Sequence, residues 1–73
     1  MVRRDGFINK IRQMGFTYKD TQKRTFLWKK AGSPEYISVP RSELLEEEFV
    51  LHALRQHGCT KDEIEAFIAS AKS

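Results

Sequence analysis

The sequence predicts a small α+β domain, ordered α-β-β-β-α(-α), with a three-stranded antiparallel sheet and helices packed on one of its faces. Three observations carry that expectation. Apolar residues recur at helical spacing over residues 7–14, the pattern changes to alternation over 16–39, and helical spacing returns over 45–71. Seventy-three residues, 40% of them hydrophobic, suffice for one domain over 1–73. A chain this short buries only about 60% of its unfolded surface, so its stability is expected to be modest.

The first helix follows from Asp5 as an N-cap, Phe7, Ile8, Ile11 and Met14 on one stripe, and Gly15 as a left-handed stop. Lys10 and Arg12 decorate its outer side. Phe16–Lys19 then reads as a short strand, with Asp20–Lys23 as polar turn material. Thr25–Lys29 is a clearer strand. Alternation puts Phe26 and Trp28 on one face, taken as the core, and Thr25, Leu27 and Lys29 on the other. Ala31-Gly32-Ser33-Pro34 makes a hairpin loop, and Glu35–Val39 returns with Ile37 and Val39 inward. Pro40 cannot donate to a ladder and closes that strand.

The C-terminal third is helical by pattern. Ser42 is expected to cap a helix over Glu43–His57, with Leu45, Phe49, Val50, Ala53 and Leu54 inward and Glu46, Glu47 and Glu48 near the favourable end of the macrodipole. Gly58 ends it. Thr60 and Glu63 form a T-x-x-E capping box, with Cys59 placed to pack on Ile64, and a last helix carries Ile64, Phe67, Ile68 and Ala71.

Charge is unevenly distributed. Residues 1–41 hold ten Lys/Arg and three acids, giving +7, whereas residues 42–73 hold three Lys/Arg and seven acids, giving −4. A basic half of this kind suits a polyanion, although clustered surface charge is the plainer explanation. The outward sheet face should carry Lys19, Lys29 and Tyr36 beside Thr25 and Leu27, edged by Lys23, Arg24 and Lys30. Cations interleaved with an aromatic ring can contact phosphates and stack a base. Leu27 beside Tyr36 could equally dock a protein.

Other chemistries have little to stand on. His52 and His57 are five residues apart, off the i, i+4 spacing that aims two imidazoles at one metal, and the lone Cys59 completes no ligand set. The two histidines read as a surface residue and a core-edge residue, away from the basic face, and Cys59 as a small hydrophobe. No metal and no cofactor are expected. The absence of a leader-like or long apolar stretch reads as a soluble, cytoplasmic chain without a membrane partner.

The order of a helix, Gly15-Phe16, two strands, Ile37-Ser38-Val39-Pro40 and then Leu54-Arg55-Gln56-His57-Gly58 resembles the HicA toxin family over roughly residues 5–69. Those are small mRNA interferases with a fold similar to double-stranded-RNA-binding domains. The resemblance implies RNA as a partner, a HicB-like antitoxin as another, and a basic strand surface that Lys19, Lys23, Arg24 and Lys29 match. One departure is decisive for the chemistry. The family's catalytic histidine lies in a Gly-Ser-His-His-like stretch, matched here by Lys23-Arg24-Thr25-Phe26, so its place falls near Thr25. Threonine does not titrate near neutrality and cannot replace an imidazole as general acid or base. The expectation is an RNA-binding domain without cleavage activity. The alternatives are an active, metal-independent ribonuclease using His52 or another group, and a protein-interaction module docking through the sheet face.

Overall fold

A computed structural model describes residues 1–72 and gives the order β1 (Val2–Arg3), α1 (Arg4–Gln13), β2 (Phe16–Thr21), β3 (Thr25–Lys30), β4 (Tyr36–Pro40), β5 (Leu44–Leu45), α2 (Glu47–Gln56) and α3 (Lys61–Ala71). The main sheet is the expected antiparallel meander β2-β3-β4, and a separate two-stranded ribbon pairs β1 with β5. The fold class is therefore α+β, as the periodicity predicts.

Strand register decides the faces. Trp28 stands between Tyr18 and Ile37, Phe26 stands opposite Val39, and Phe16 stands opposite Lys30. Those residues share the covered face. Phe16, Trp28, Ile37 and Val39 are buried there with Phe7 and Ile11 of α1 and Val50, Ala53 and Leu54 of α2. Ile64 of α3, Val2 and Leu45 complete the core. The stripe on α1 is narrower than its sequence suggests, since Ile8 and Met14 are only partly buried.

Three boundaries differ from expectation, each for a physical reason. Asp5 is not the N-cap of α1: that position is taken two residues earlier by extended Arg3, and Asp5 sits in the first turn. Pairing of Val2 with Leu45 and Arg3 with Leu44 holds the chain extended up to that point. The same pairing delays α2. Residues 43–46 are not helical, and Glu46, not Ser42, occupies the N-cap position. Leu45 is buried by strand pairing, and the Glu43 carbonyl accepts the Arg4 N–H at 2.9 Å instead of a helical donor. Finally, β2 runs on to Thr21 through a bulge between Tyr18 and Asp20, so the turn is shorter than Asp20–Lys23. A bulge adds a residue without ending the ladder, which conceals it from simple alternation.

The punctuation holds elsewhere. Gly15 and Gly58 have φ of 100° and 96°, the left-handed region that side chains avoid, and each ends a helix. Thr60 accepts the Glu63 N–H at 3.2 Å while Glu63 accepts the Thr60 N–H at 2.8 Å, the complete capping box. Cys59 is partly buried, with its thiol 3.8 Å from the Met14 sulfur.

Candidate nucleic-acid interface

The helices cover one face of the main sheet and leave the other open. On the open face Thr17, Lys29 and Tyr36 form one row across the strands, Asp20, Leu27 and Ser38 the next, and Thr25 and Pro40 the last. Tyr36 is 59% exposed and Lys29 is exposed beside it, while Leu27 is half-buried. Gln22, Leu27, Lys29, Tyr36 and Ser38 line a shallow hollow on this face. A ring standing next to an ammonium over a hollow can stack a base while the cation meets a phosphate.

The other expected residues fall into three places. Lys23 and Arg24 lie in the β2–β3 turn, at the end of the sheet remote from Lys29, about 17 Å away along an extended strand. Lys19 sits at the β2 bulge and is exposed. Lys30 is turned away from the open face: it shares the covered side with Phe16, and its ammonium lies 3.6 Å from Glu35. Lys29 and Tyr36 thus share the open face, Lys23 and Arg24 lie in the turn at its far end, and Lys30 is turned away from it.

Two arginines extend the basic end and were not among the expected residues. The Arg41 N–H donates to the Arg24 carbonyl at 3.4 Å, continuing the β3–β4 ladder past Pro40. Arg4 donates to the Arg41 carbonyl at 2.6 Å. The guanidinium carbons of Arg4 and Arg41 stand 5.7 and 5.3 Å from the Phe26 ring centroid, within cation–π range. Arg41 follows Pro40 directly, a sequence signal that one more ladder step would have used. Arg4 had no local signal, because the α1 N-terminus reaches this site only through tertiary packing.

Among the described residues Thr25 makes no side-chain hydrogen bond to an acid or a base. Its hydroxyl donates to the Gln22 side-chain carbonyl at 3.2 Å, and its cross-strand neighbour is Pro40. Both histidines lie on or just after α2. His52 is exposed, 3.9 Å from Glu48, and the His57 side chain is only 7% exposed. The His57 Nδ1 donates to Glu35 at 2.9 Å, and its ring packs edge-on against Phe16. These are the surface and core-edge positions the sequence suggested. They line a groove of about 660 Å³ between α2 and β4, which borders the open face only where Tyr36 and Ser38 line both.

Electrostatics mark structure more than reactivity. The Glu35 carboxyl is held below the usual range by its bond to His57, then by the Ser33 hydroxyl, against some desolvation. The Glu63 carboxyl is likewise lowered by its Thr60 bonds, and burial pushes the Cys59 thiol up, away from a nucleophilic thiolate. Among the described residues no three His, Cys, Asp or Glu side chains gather as a metal-binding group, and no helix is long and apolar enough to cross a membrane. No protein-family model matches the chain, and no curated protein or solved structure matches it.

Proposed function

We propose that this domain is a HicA-like RNA-binding module that engages RNA through the open face of its sheet and does not cleave it. The observation that carries the reading is the pairing of Lys29 with Tyr36 on an uncovered face, with Lys23 and Arg24 in the β2–β3 turn at the far end of the sheet. Stacking and phosphate contacts together are the usual means of holding unpaired bases. Non-cleavage is supported by Thr25, whose neighbours Gln22 and Pro40 offer nothing that exchanges a proton near neutrality. A HicB-like protein is the partner that the sequence resemblance implies.

The test is a titration with a short single-stranded RNA at two salt concentrations, followed by gel analysis of the RNA. Binding should weaken steeply with salt as condensed counterions are released. Lys23→Ala with Arg24→Ala removes two cations and should flatten the log–log salt slope by about 1.4, at roughly 0.7 per phosphate contact on a single strand. Tyr36→Ala should weaken binding with little change in slope, because stacking carries no counterion. The RNA should stay intact with the wild type, with His52→Ala and with His57→Ala. Cleavage lost in either histidine variant would establish an active ribonuclease. Salt-insensitive binding, or none at low salt, would favour protein docking through Leu27 and Tyr36.

A further inference from the structure

His57 has one ring nitrogen in use and one free. Its side chain is only 7% exposed, and Nδ1 is committed as a donor to Glu35 at 2.9 Å. The neutral ring then keeps its lone pair at Nε2. Among the described residues Nε2 makes no hydrogen bond, yet it is not sealed from solvent. The space open to it is the groove of about 660 Å³ between α2 and β4, which His57 lines. That volume falls within the usual small-ligand range of about 300–1,000 Å³.

The opposite wall of the groove is the β4 edge. The Lys30 N–H donates to the Glu35 carbonyl at 3.1 Å, and the Arg41 N–H donates to the Arg24 carbonyl at 3.4 Å. Bonded pairs alternate along an antiparallel ladder, so residues 35, 37, 39 and 41 bond toward β3. Tyr36 and Ser38 therefore each turn one N–H and one carbonyl outward, unpaired among the described residues. Tyr36 directly follows Glu35, which places its edge groups beside the carboxylate that holds His57. No lysine or arginine lines the groove, so a phosphate finds no counter-charge in it. The cation beside Tyr36 is Lys29, its cross-strand neighbour on the open face.

We propose that this groove is a pocket for one nucleobase with an amino group on its pairing edge, adenine or cytosine, turned over the β4 edge from the RNA strand on the open face. The inference rests on the RNA-binding reading and adds a base preference to it. Adenine and cytosine carry a ring-nitrogen acceptor next to an amino donor. The Tyr36 N–H meets the ring nitrogen, the Tyr36 carbonyl takes one amino hydrogen, and His57 Nε2 takes the other. Guanine and uracil present a carbonyl where the amino group would stand, and so leave Nε2 covered without a donor, which is costly. A peptide strand laid along β4 would use the same edge groups but leave Nε2 in that same state. The uncharged groove takes the base, Lys29 meets the phosphate, and the Tyr36 ring stacks the neighbouring base. Tyr36 and Ser38 line both the groove and the open-face hollow, so the two sites are continuous.

Anisotropy titrations of the intact chain at low salt test this with two short single strands, one of adenosine and one of purine riboside. The second keeps the purine ring for stacking and lacks the amino group. The wild type should prefer adenosine by about five-fold, the usual worth of one neutral hydrogen bond. His57→Phe keeps a ring against Phe16 but loses Nε2, and should bind both strands alike. In the wild type, the adenosine strand should shift the His57 Nε2 nitrogen resonance in the direction of an accepted hydrogen bond. Should His57→Phe fail to fold, the wild-type ratio and that resonance decide alone. Equal affinity of the wild type for the two strands, or an unmoved Nε2 resonance, would overturn the pocket and leave the open-face reading standing. Binding of neither strand would overturn both. Adenosine monophosphate is the third probe: a shift of Nε2 by it and not by the strand would assign the groove to a free nucleotide and overturn its part in RNA binding.

Discussion

Glu35 sits at the end of the β3–β4 loop and gathers three side chains: His57 at 2.9 Å, Ser33 at 2.9 Å and Lys30 at 3.6 Å. It thereby ties that loop to the end of α2. Its carboxyl is lowered in the folded chain, first by the His57 bond. A lowered carboxyl stabilises the fold above the ordinary glutamate value of about 4.3, and that contribution is lost as pH falls through the folded value. Glu35→Gln should therefore melt below the wild type at neutral pH, with the gap closing in acid. Thermal melts of both proteins at several pH values check this, and a gap that stays constant would assign the stabilisation to something other than ionisation. Trp28 offers a second residue-scale prediction. It is 4% exposed, and its indole N–H is buried without a hydrogen-bond partner among the described residues. Arg12 lies 5.2 Å from its ring centroid, and the Tyr18 ring meets it edge-on. Trp28→Ala should cost about 3–5 kcal/mol, the usual loss for a buried aromatic. Trp28→Phe should cost far less, because a lone buried donor carries a desolvation penalty of about 1–3 kcal/mol that phenylalanine removes. Chemical denaturation of the two variants separates them, and equal losses would show that the indole N–H is satisfied in solution.

At the scale of elements, the β1–β5 ribbon has more influence than its two-residue strands suggest. It closes the chain ends together, since Val2 also bridges to Lys72 beyond α3. Val2 and Leu45 are 0% and 2% exposed, so the ribbon supplies core as well as pairing. Leu45→Ala should cost about 2–5 kcal/mol, the range for a buried leucine. The exposed Leu44, next to it in the sequence and on the other side of the ribbon, should tolerate the same change within about 0.5 kcal/mol. Urea denaturation of the two variants tests which of the two leucines the ribbon buries.

At the scale of the whole molecule, the Cα radius of gyration is 11.4 Å, against about 11 Å for a well-packed domain of this length. Sheet and helices share one core among the described residues. Cations concentrate on the sheet and α1, whereas acids concentrate at the start of α2 and on α3. That separation makes the role of the acids testable. Replacing Glu46, Glu47 and Glu48 together by Gln should leave RNA affinity equal or higher, because it removes repulsion without touching the open face. A clear loss of affinity in a filter-binding or anisotropy titration would mean that α2, not the sheet, meets the nucleic acid.

The sequence by itself determined the fold class, the inward faces of β3 and β4, and one end of each of the three helices. Those features are local: alternation fixes a face, and Gly15, Gly58 and the Thr60–Glu63 box fix an end through bonds made within a few residues. It also supplied the positions of Lys29 and Tyr36 on one face and the removal of Trp28 from that face. Tertiary structure decided what depended on distant partners. Leu44–Leu45 carries a helical pattern but becomes a strand because Val2–Arg3 lies alongside it. Lys30 faces away from the candidate interface because β3 runs one residue further and pairs it with Phe16. Arg4 and Arg41 meet over Phe26 although 37 residues separate them. The open β4 edge was equally hidden, since a strand's own residues show which way its side chains alternate, while its neighbours decide which backbone groups are left unpaired.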